Sequence, residues 1–317
     1  MDINALRAFT EVARQGSFSR AAEALFVTQP AVSKRIAALE DELGARLFDR
    51  IGKKITLTET GRELEPRARR LLQEADEMKR IASTLSGSVS GRLLMGTSHH
   101  IGLHRLPPVL KAFHDQYPDV TLDIRFMDSE QACQAVEQGE LELAIVTLPS
   151  LPAEQLEVRN IWTDVLEVVT ATDHPLASQQ QAQLRTLARY PAVLPGPQTY
   201  THQLLNQELQ RLGLKLDTTL STNYLETLKM LVMTGLGWSL LPQTMIDEKL
   251  HRLKTEIRLQ RQLGSVVHRK RTLSNAARAM LTIAYACQPA SPTPSAPSPR
   301  FSTCCTADRS IPRHRCR

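Results

Sequence analysis

Residues 28–43 constrain the fold of this chain more than any other stretch. Val32, Ile36, Leu39 and Leu43 recur at steps of four, three and four, which predicts one helix with a single apolar face. The opposite face carries Pro30 and Lys34, with Gln29 and Ser33 on a flank. Such a helix is stable only if its apolar stripe is buried against a neighbour, and the residues before it supply two candidates. Leu6, Phe9, Val12 and Ala13 form one helical stripe that Gly16 ends. Ser17 and Ser19 are candidate N-caps of a second helix over residues 20–25. Phe26 and Val27 form the turn, Thr28 caps the third helix, Pro30 is tolerated in its first turn, and Gly44 stops it.

Three compact helices with a tight turn between the second and third imply a helix-turn-helix, whose recognition helix needs an apolar back and short polar side chains near its N-terminus. Gln29 can pair bidentately with adenine, Ser33 can reach base or phosphate, and Lys34 and Arg35 can neutralise phosphates. Downstream, a basic turn (Arg50, Lys53, Lys54) separates two short extended runs and reads as a β-wing beside the backbone or minor groove. Taken alone, that cluster reads equally well as a solvated loop. The net charge of +6 permits a phosphate-bearing partner without demonstrating one.

From Glu59 to about Ser86, Leu64, Ala68, Leu71, Ala75, Met78, Ala82 and Leu85 alternate steps of four and three. This heptad seam predicts a coiled-coil helix and a homodimer; the alternative is an amphipathic helix lying on its own domain. A Ser/Gly hinge over residues 86–91 follows. Short apolar runs at 93–95, 120–126, 141–147, 165–172, 192–194, 215–220, 238–241 and 265–268 then alternate with helical patterns at 104–116, 129–138, 200–211, 224–234 and 275–285. That alternation predicts an α/β domain with parallel sheets. Residues 288–317, rich in Pro and Ser and then in Cys and Arg, lack periodicity and are expected to be disordered.

The run from Ser17 to Leu25 (SFSRAAEAL) resembles the LysR-type transcriptional regulators, and so do Thr28–Glu40 (TQPAVSKRIAALE), Leu43-Gly44, Leu47–Arg50 and Leu57–Gly61. The family usually has a small residue where Thr60 stands. The resemblance implies an α+β multidomain architecture: a winged helix-turn-helix over residues 1–58, a linker and dimerisation helix with hinge over 59–90, and an effector-binding domain over 91–287. The last is expected to be periplasmic-binding-protein-like, with one subdomain at 91–161 plus 266–287 and another at 162–265. The family also implies double-stranded promoter DNA on an interrupted palindrome, RNA polymerase as a partner, and a homotetramer.

Ligands of open α/β sheets bind beyond the carboxyl ends of strands. Thr97, Ser98, His99 and His100 follow one such end, Thr147 closes another, and Thr199 and Thr201 follow a third; Asp128 and Ser129 follow a fourth. The resemblance puts effector contacts at the matching positions, and the hydroxyls suit a small polar or anionic co-inducer. Each Ser or Thr has an alternative role as an N-cap. His99 and His100 diverge in direction and lack a carboxylate or Cys at ligand spacing, so no metal is expected. No other cofactor is expected.

Two other function classes find less support in the residues. An α/β enzyme with a helical adaptor lacks support, because no G-x-S-x-G, P-loop or G-x-G-x-x-G motif occurs; Thr234–Gly237 reads as a helix stop. A periplasmic solute-binding protein conflicts with the N-terminal module and with an acidic, polar start unlike a signal peptide. The five cysteines form no C-x-x-C pair and read as free thiols of a reducing compartment. No apolar run approaches the length of a membrane span, so the expected location is the cytoplasm.

Overall fold

A computed structural model describes residues 1–51, 54–85, 87–179 and 181–287. Lys53, Ser86 and the expected tail at 288–317 lie outside the described residues, as do the side chains of Arg50, Lys54, Ala82 and Leu85. Helices α1 (Ile3–Gln15), α2 (Phe18–Ala24) and α3 (Gln29–Leu43) pack around Phe9, Val12, Phe18, Ala21, Val32, Ile36 and Leu39. Ser17 caps α2 by accepting the Arg20 N–H. That helix therefore starts earlier than expected, and Ser19 lies exposed inside it rather than capping it. Thr28 stands at the N-cap of α3 without a side-chain capping bond. Leu43 was expected in the apolar back but is 39% exposed, because the core ends at Leu39 and the last turn of α3 projects past it.

Strands β1 (Phe48–Ile51) and β2 (Lys54–Leu57) pair antiparallel, with Ile51 opposite Lys54. Phe48 meets Phe9 and Phe18 edge to face, at centroid distances of 5.6 and 5.8 Å. The Glu40 carboxylate accepts from the backbone N–H of Leu47 at 2.7 Å and of Phe48 at 3.3 Å, which holds the wing to α3. Helix α4 (Glu59–Leu85) follows. Its seam is divided. Ala68 is buried in the helix-turn-helix core, with Leu64 and Leu72 packed against it, whereas Leu71 and Met78 are exposed. The early seam thus docks the helix on its own domain, a role given above only as the alternative.

The larger half starts with β3 (Gly91–Thr97), α5 (His99–His104), α6 (Pro107–Gln116), β4 (Val120–Phe126), α7 (Ser129–Glu137) and β5 (Leu143–Thr147). Strands β4, β3 and β5 are parallel neighbours. Strand β6 (Leu156–Ala171) then carries the chain into a second lobe made of α8 (Leu184–Leu187), β7 (Ala192–Leu194), α9 (Tyr200–Arg211), β8 (Thr218–Ser221), α10 (Leu225–Met233), β9 (Ser239–Pro242) and β10 (Leu250–Leu253). Strand β11 (Leu259–His268) returns to the first lobe, and α11 (Asn275–Ala286) packs there. Leu93, Met95, Phe113, Trp162 and Met280 centre the first lobe's core; Leu166, Leu205, Trp238 and Leu253 centre one in the second.

Strands β7 and β8 pair parallel, as expected, but the seven-stranded sheet is mixed. Strand β11 pairs antiparallel with both β5 and β6, and β6 with β9 and β10. The reason is topological: one strand leaves the first lobe, the other returns to it, and they are neighbours. The first half of β6 was not read as strand because Glu157, Arg159, Asn160 and Thr163 interrupt its apolar positions. The register of β6 and β11 shifts between Leu263 and Gly264, opposite Ile161. A Cβ on Gly264 would lie 2.1 Å from the Arg159 carbonyl oxygen. Gly264→Ala is therefore expected to force these strands apart and cost about 1–3 kcal/mol as an overpacked site. Differential scanning calorimetry should show the effector half melting lower, by about 2–4 °C per kcal/mol; an unchanged melt would count against a tight crossing.

Candidate effector cleft and DNA-reading face

Between the lobes lies a cleft of about 50 Å³. Eight of the nine expected effector residues line it: Ser98, His99, His100, Asp128, Ser129, Thr147, Thr199 and Thr201. Thr97 does not; it is fully buried, and its hydroxyl donates to the Ile145 carbonyl at 2.8 Å. Ser98 occupies the N-cap position of α5 but makes no capping bond, which leaves its hydroxyl facing the cleft. Thr199 does cap: it accepts the His202 N–H and donates to the Gly196 carbonyl at 2.7 Å. Ser129 accepts the Thr147 N–H at 3.1 Å. The His99 ring lies tilted against Phe126 at 5.3 Å and edge to face with Tyr224 at 4.7 Å.

Beneath these residues lies a buried ion-pair cluster. Asp164 on β6 and Arg261 on β11 are cross-strand partners, with Arg261 Nε donating to Asp164 Oδ2 at 2.9 Å. Arg105 donates to Oδ1 at 3.2 Å, and Arg261 Nη1 donates to Thr201 Oγ1 at 3.2 Å. Burial pushes the Asp164 pKa up; the approach of His100 and the charge of Arg261 outweigh it and hold the carboxyl well below the usual range. His100, 4% exposed, is pushed down, chiefly by burial. Two guanidinium groups thus meet one carboxylate beneath the cleft, while the Asp128 and Glu130 carboxylates line the cleft itself.

The cleft is drawn shut across the lobes. Asn223 donates to Asp128 at 2.7 Å, Glu130 accepts the Tyr200 N–H at 2.5 Å, and His104 Nε2 lies 3.0 Å from Glu226 Oε1. A volume of about 50 Å³ holds little more than one or two water molecules.

Glu130, Asn223, Asp164 and Arg261 were not anticipated from the sequence. A signal existed for the last two. Asp164 alternates in phase with buried Trp162 and Leu166, and Arg261 with Leu259 and Leu263. A charge in phase with buried strand positions asks for a partner, but neither stretch was read as strand.

At the other end of the chain, α3 turns its buried face to the core and presents Gln29, Pro30 and Lys34 exposed, with Ser33 and Arg35 half-buried. Gln29 Nε2 donates to Ser33 Oγ at 2.8 Å, so the two polar groups of this turn are already oriented together.

Comparison with known proteins agrees with this division. Residues 3–62 match the family model of bacterial regulatory helix-turn-helix proteins of the LysR family, and residues 86–286 match the LysR substrate binding domain. The chain belongs to the LysR family of transcriptional regulators. It is a DNA-binding transcriptional regulator with an effector-binding domain. It is 33% identical over 276 residues to a probable nitrogen assimilation transcriptional activator of Synechococcus elongatus, covering 84% of this chain and 89% of that protein. A probable RuBisCO transcriptional regulator of Synechocystis is 30% identical over 253 residues, 78% of this chain and 73% of the relative. Among solved structures, CbnR complexed with its target DNA has the same fold, with a TM-score of 0.63 and 18% identity over 90% of this chain and all of that one. The effector binding domain of QuiR in complex with shikimate also shares the fold, with a TM-score of 0.58 and 18% identity over 63% of this chain and 97% of that one. Among the described residues, no helix is long and apolar enough to cross a membrane.

One cysteine borders this region. Cys133 on α7 is buried, and burial pushes its thiol up to about 11. At pH 8 only about a thousandth of it is thiolate, the reactive form. Iodoacetamide should leave Cys133 unlabelled in the native protein at pH 8, label it on unfolding, and label the native site faster as the pH rises toward 11. Peptide mass spectrometry reads the difference; rapid native labelling at pH 8 would contradict the burial.

Proposed function

We propose that this regulator reads promoter DNA through the N-terminal end of α3 and that a small polar effector with an anionic group, held between the lobes, controls it. The observation that carries the effector half is the convergence of the Ser98, Thr147 and Thr201 hydroxyls and the Arg261 guanidinium on the lining of one cleft. A free hydroxyl and a guanidinium are the donors a carboxylate or phosphate needs. The N-termini of α7, α9 and α10 face the same cleft, through Ser129, Thr201 and Leu225, and add partial positive charge. For DNA, Gln29 and Ser33 meet base edges, Pro30 and the helix start at Thr28 sit against the groove, and Lys34, Arg35 and the wing residues Arg50, Lys53 and Lys54 neutralise phosphates. Ser17 and Ser19 lie where α2 crosses the backbone.

The exposed seam residues Leu71 and Met78 support a homodimer through α4. A tetramer and contact with RNA polymerase extend that reading, as the family does, and the working location is the cytoplasm. The regulator acts by binding rather than as an enzyme, as expected of a family of transcriptional regulators.

Fluorescence anisotropy with DNA flanking the regulator's own gene tests the DNA half. Gln29→Ala should lose about 1–3 kcal/mol of preference over random DNA. Lys34→Ala should weaken both DNAs alike and lower the salt slope by about 1. Equal binding of both DNAs by the unaltered protein would overturn the reading. The effector half is tested by thermal-shift screening of carboxylates and phosphates. Ser98→Ala should leave the ligand-free melting temperature unchanged and remove most of the ligand-induced rise. A rise of full size in the variant would remove Ser98 from the site.

A further inference from the structure

At the rim of the cleft, three side chains meet in a way that neither the DNA-reading face nor the effector reading requires. His100 and His104 stand four residues apart on α5, so they share one face of the helix, with ring centroids 4.8 Å apart. Glu226, the second residue of α10 in the opposite lobe, brings Oε1 to 3.0 Å from His104 Nε2. One donor atom from each of the three lies within 4.8 Å of the other two. His100 is 4% exposed, yet neither of its ring nitrogens has a hydrogen-bond partner. A buried imidazole with two unsatisfied nitrogens is costly, and such groups in native proteins ask for an explanation. A bound ligand is one.

We propose that His100, His104 and Glu226 bind a divalent transition-metal ion of the zinc class, which bridges the two lobes across the rim of the cleft. Two imidazoles and one carboxylate are a zinc ligand set of the kind that leaves a fourth position for water or an anion. Imidazole nitrogens favour zinc, cobalt or nickel over magnesium or calcium, which need more oxygen ligands than this rim offers. Ligands of a tetrahedral ion with bonds near 2.1 Å stand about 3.4 Å apart. Side-chain rotations of His104 and Glu226, both partly exposed, close the remaining gap. Asp164 lies 3.7 Å from His100 Nε2, where an outer-shell carboxylate orients a metal-bound histidine. Its own charge is already met by Arg105 and Arg261, so Glu226 is the carboxylate that offsets the ion.

The ligands come from both lobes, so the ion binds the closed arrangement and disfavours the open one. It therefore couples to whatever else the cleft binds, but the site stands without the effector reading. It was missed in the sequence because Glu226 is 122 residues from His104 and because His99, not His104, was considered as the partner of His100.

The test uses the full chain after chelation, titrated with Zn²⁺ by calorimetry and with Co²⁺ by absorption. The expected result is one ion per chain at this site, a cobalt d–d spectrum without thiolate charge transfer, a raised melting temperature, and no response to Mg²⁺. Glu226→Gln and His104→Ala should each weaken Co²⁺ binding at least about tenfold. Both positions are partly exposed, so the metal-free melting temperatures of the variants should match the unaltered protein. Absence of binding, equal binding by both variants, or a spectrum dominated by thiolate charge transfer from the cysteines would overturn the proposal.

Discussion

Asp164 lies almost completely buried between two guanidinium groups, at the place where β6 and β11 cross between the lobes. Taking these charges out of water costs free energy, and only good geometry and further hydrogen bonds offset it. The cluster meets that requirement through Arg105 on one carboxylate oxygen, Arg261 on the other, and Thr201 on the far side of Arg261. Its place in the fold gives it consequences. The shift in strand register at Gly264 lies three residues beyond Arg261, and Ile161 lies three residues before Asp164. The ion pair therefore fixes the strands beside the point where they bend. It also places the Arg261 guanidinium in the cleft lining and holds Thr201 from α9 against β11.

The connection from cleft to DNA runs through α4. Its early turns pack on the helix-turn-helix core through Ala68, and Arg7 of α1 reaches Asp76 at 3.0 Å. Its middle reaches the first lobe: Arg69 pairs with Glu140 at 2.5 Å, and Gln73 donates to the Gln138 carbonyl just after α7. Helix α7 begins at Ser129 on the cleft. A change at the cleft that moved α7 would thus reach α4 through a short set of polar contacts. Partly solvated pairs of this kind are individually weak, so they suit a coupling that a modest ligand energy can reset.

How much of this was legible in the sequence follows from the range of each interaction. The helix-turn-helix was readable nearly to the residue, because Val32, Ile36 and Leu39 announce their face locally and Gly16 and Gly44 punctuate it, both in the left-handed region. Eight cleft-lining positions were readable because strand-to-helix junctions mark the cleft rim. Leu43 was misread because periodicity says which face a residue is on, not where the neighbouring helix ends. The antiparallel pairings of β6 and β11 were missed because strand order is not a local property. Asp164 and Arg261, 97 residues apart, could be paired only once β6 and β11 were known to be neighbours. The divided role of the α4 seam had the same cause: a heptad repeat does not say which partner covers each turn.

The central claim is that occupancy of the cleft alters how the N-terminal half holds its promoter. Footprinting on DNA flanking the regulator's own gene, with and without a ligand that raises the melting temperature, tests it most directly. The account predicts a protected region that changes in length or gains a hypersensitive position when ligand is added, with a matching change in transcription. A ligand that stabilises the protein yet leaves both footprint and transcription unchanged would contradict it.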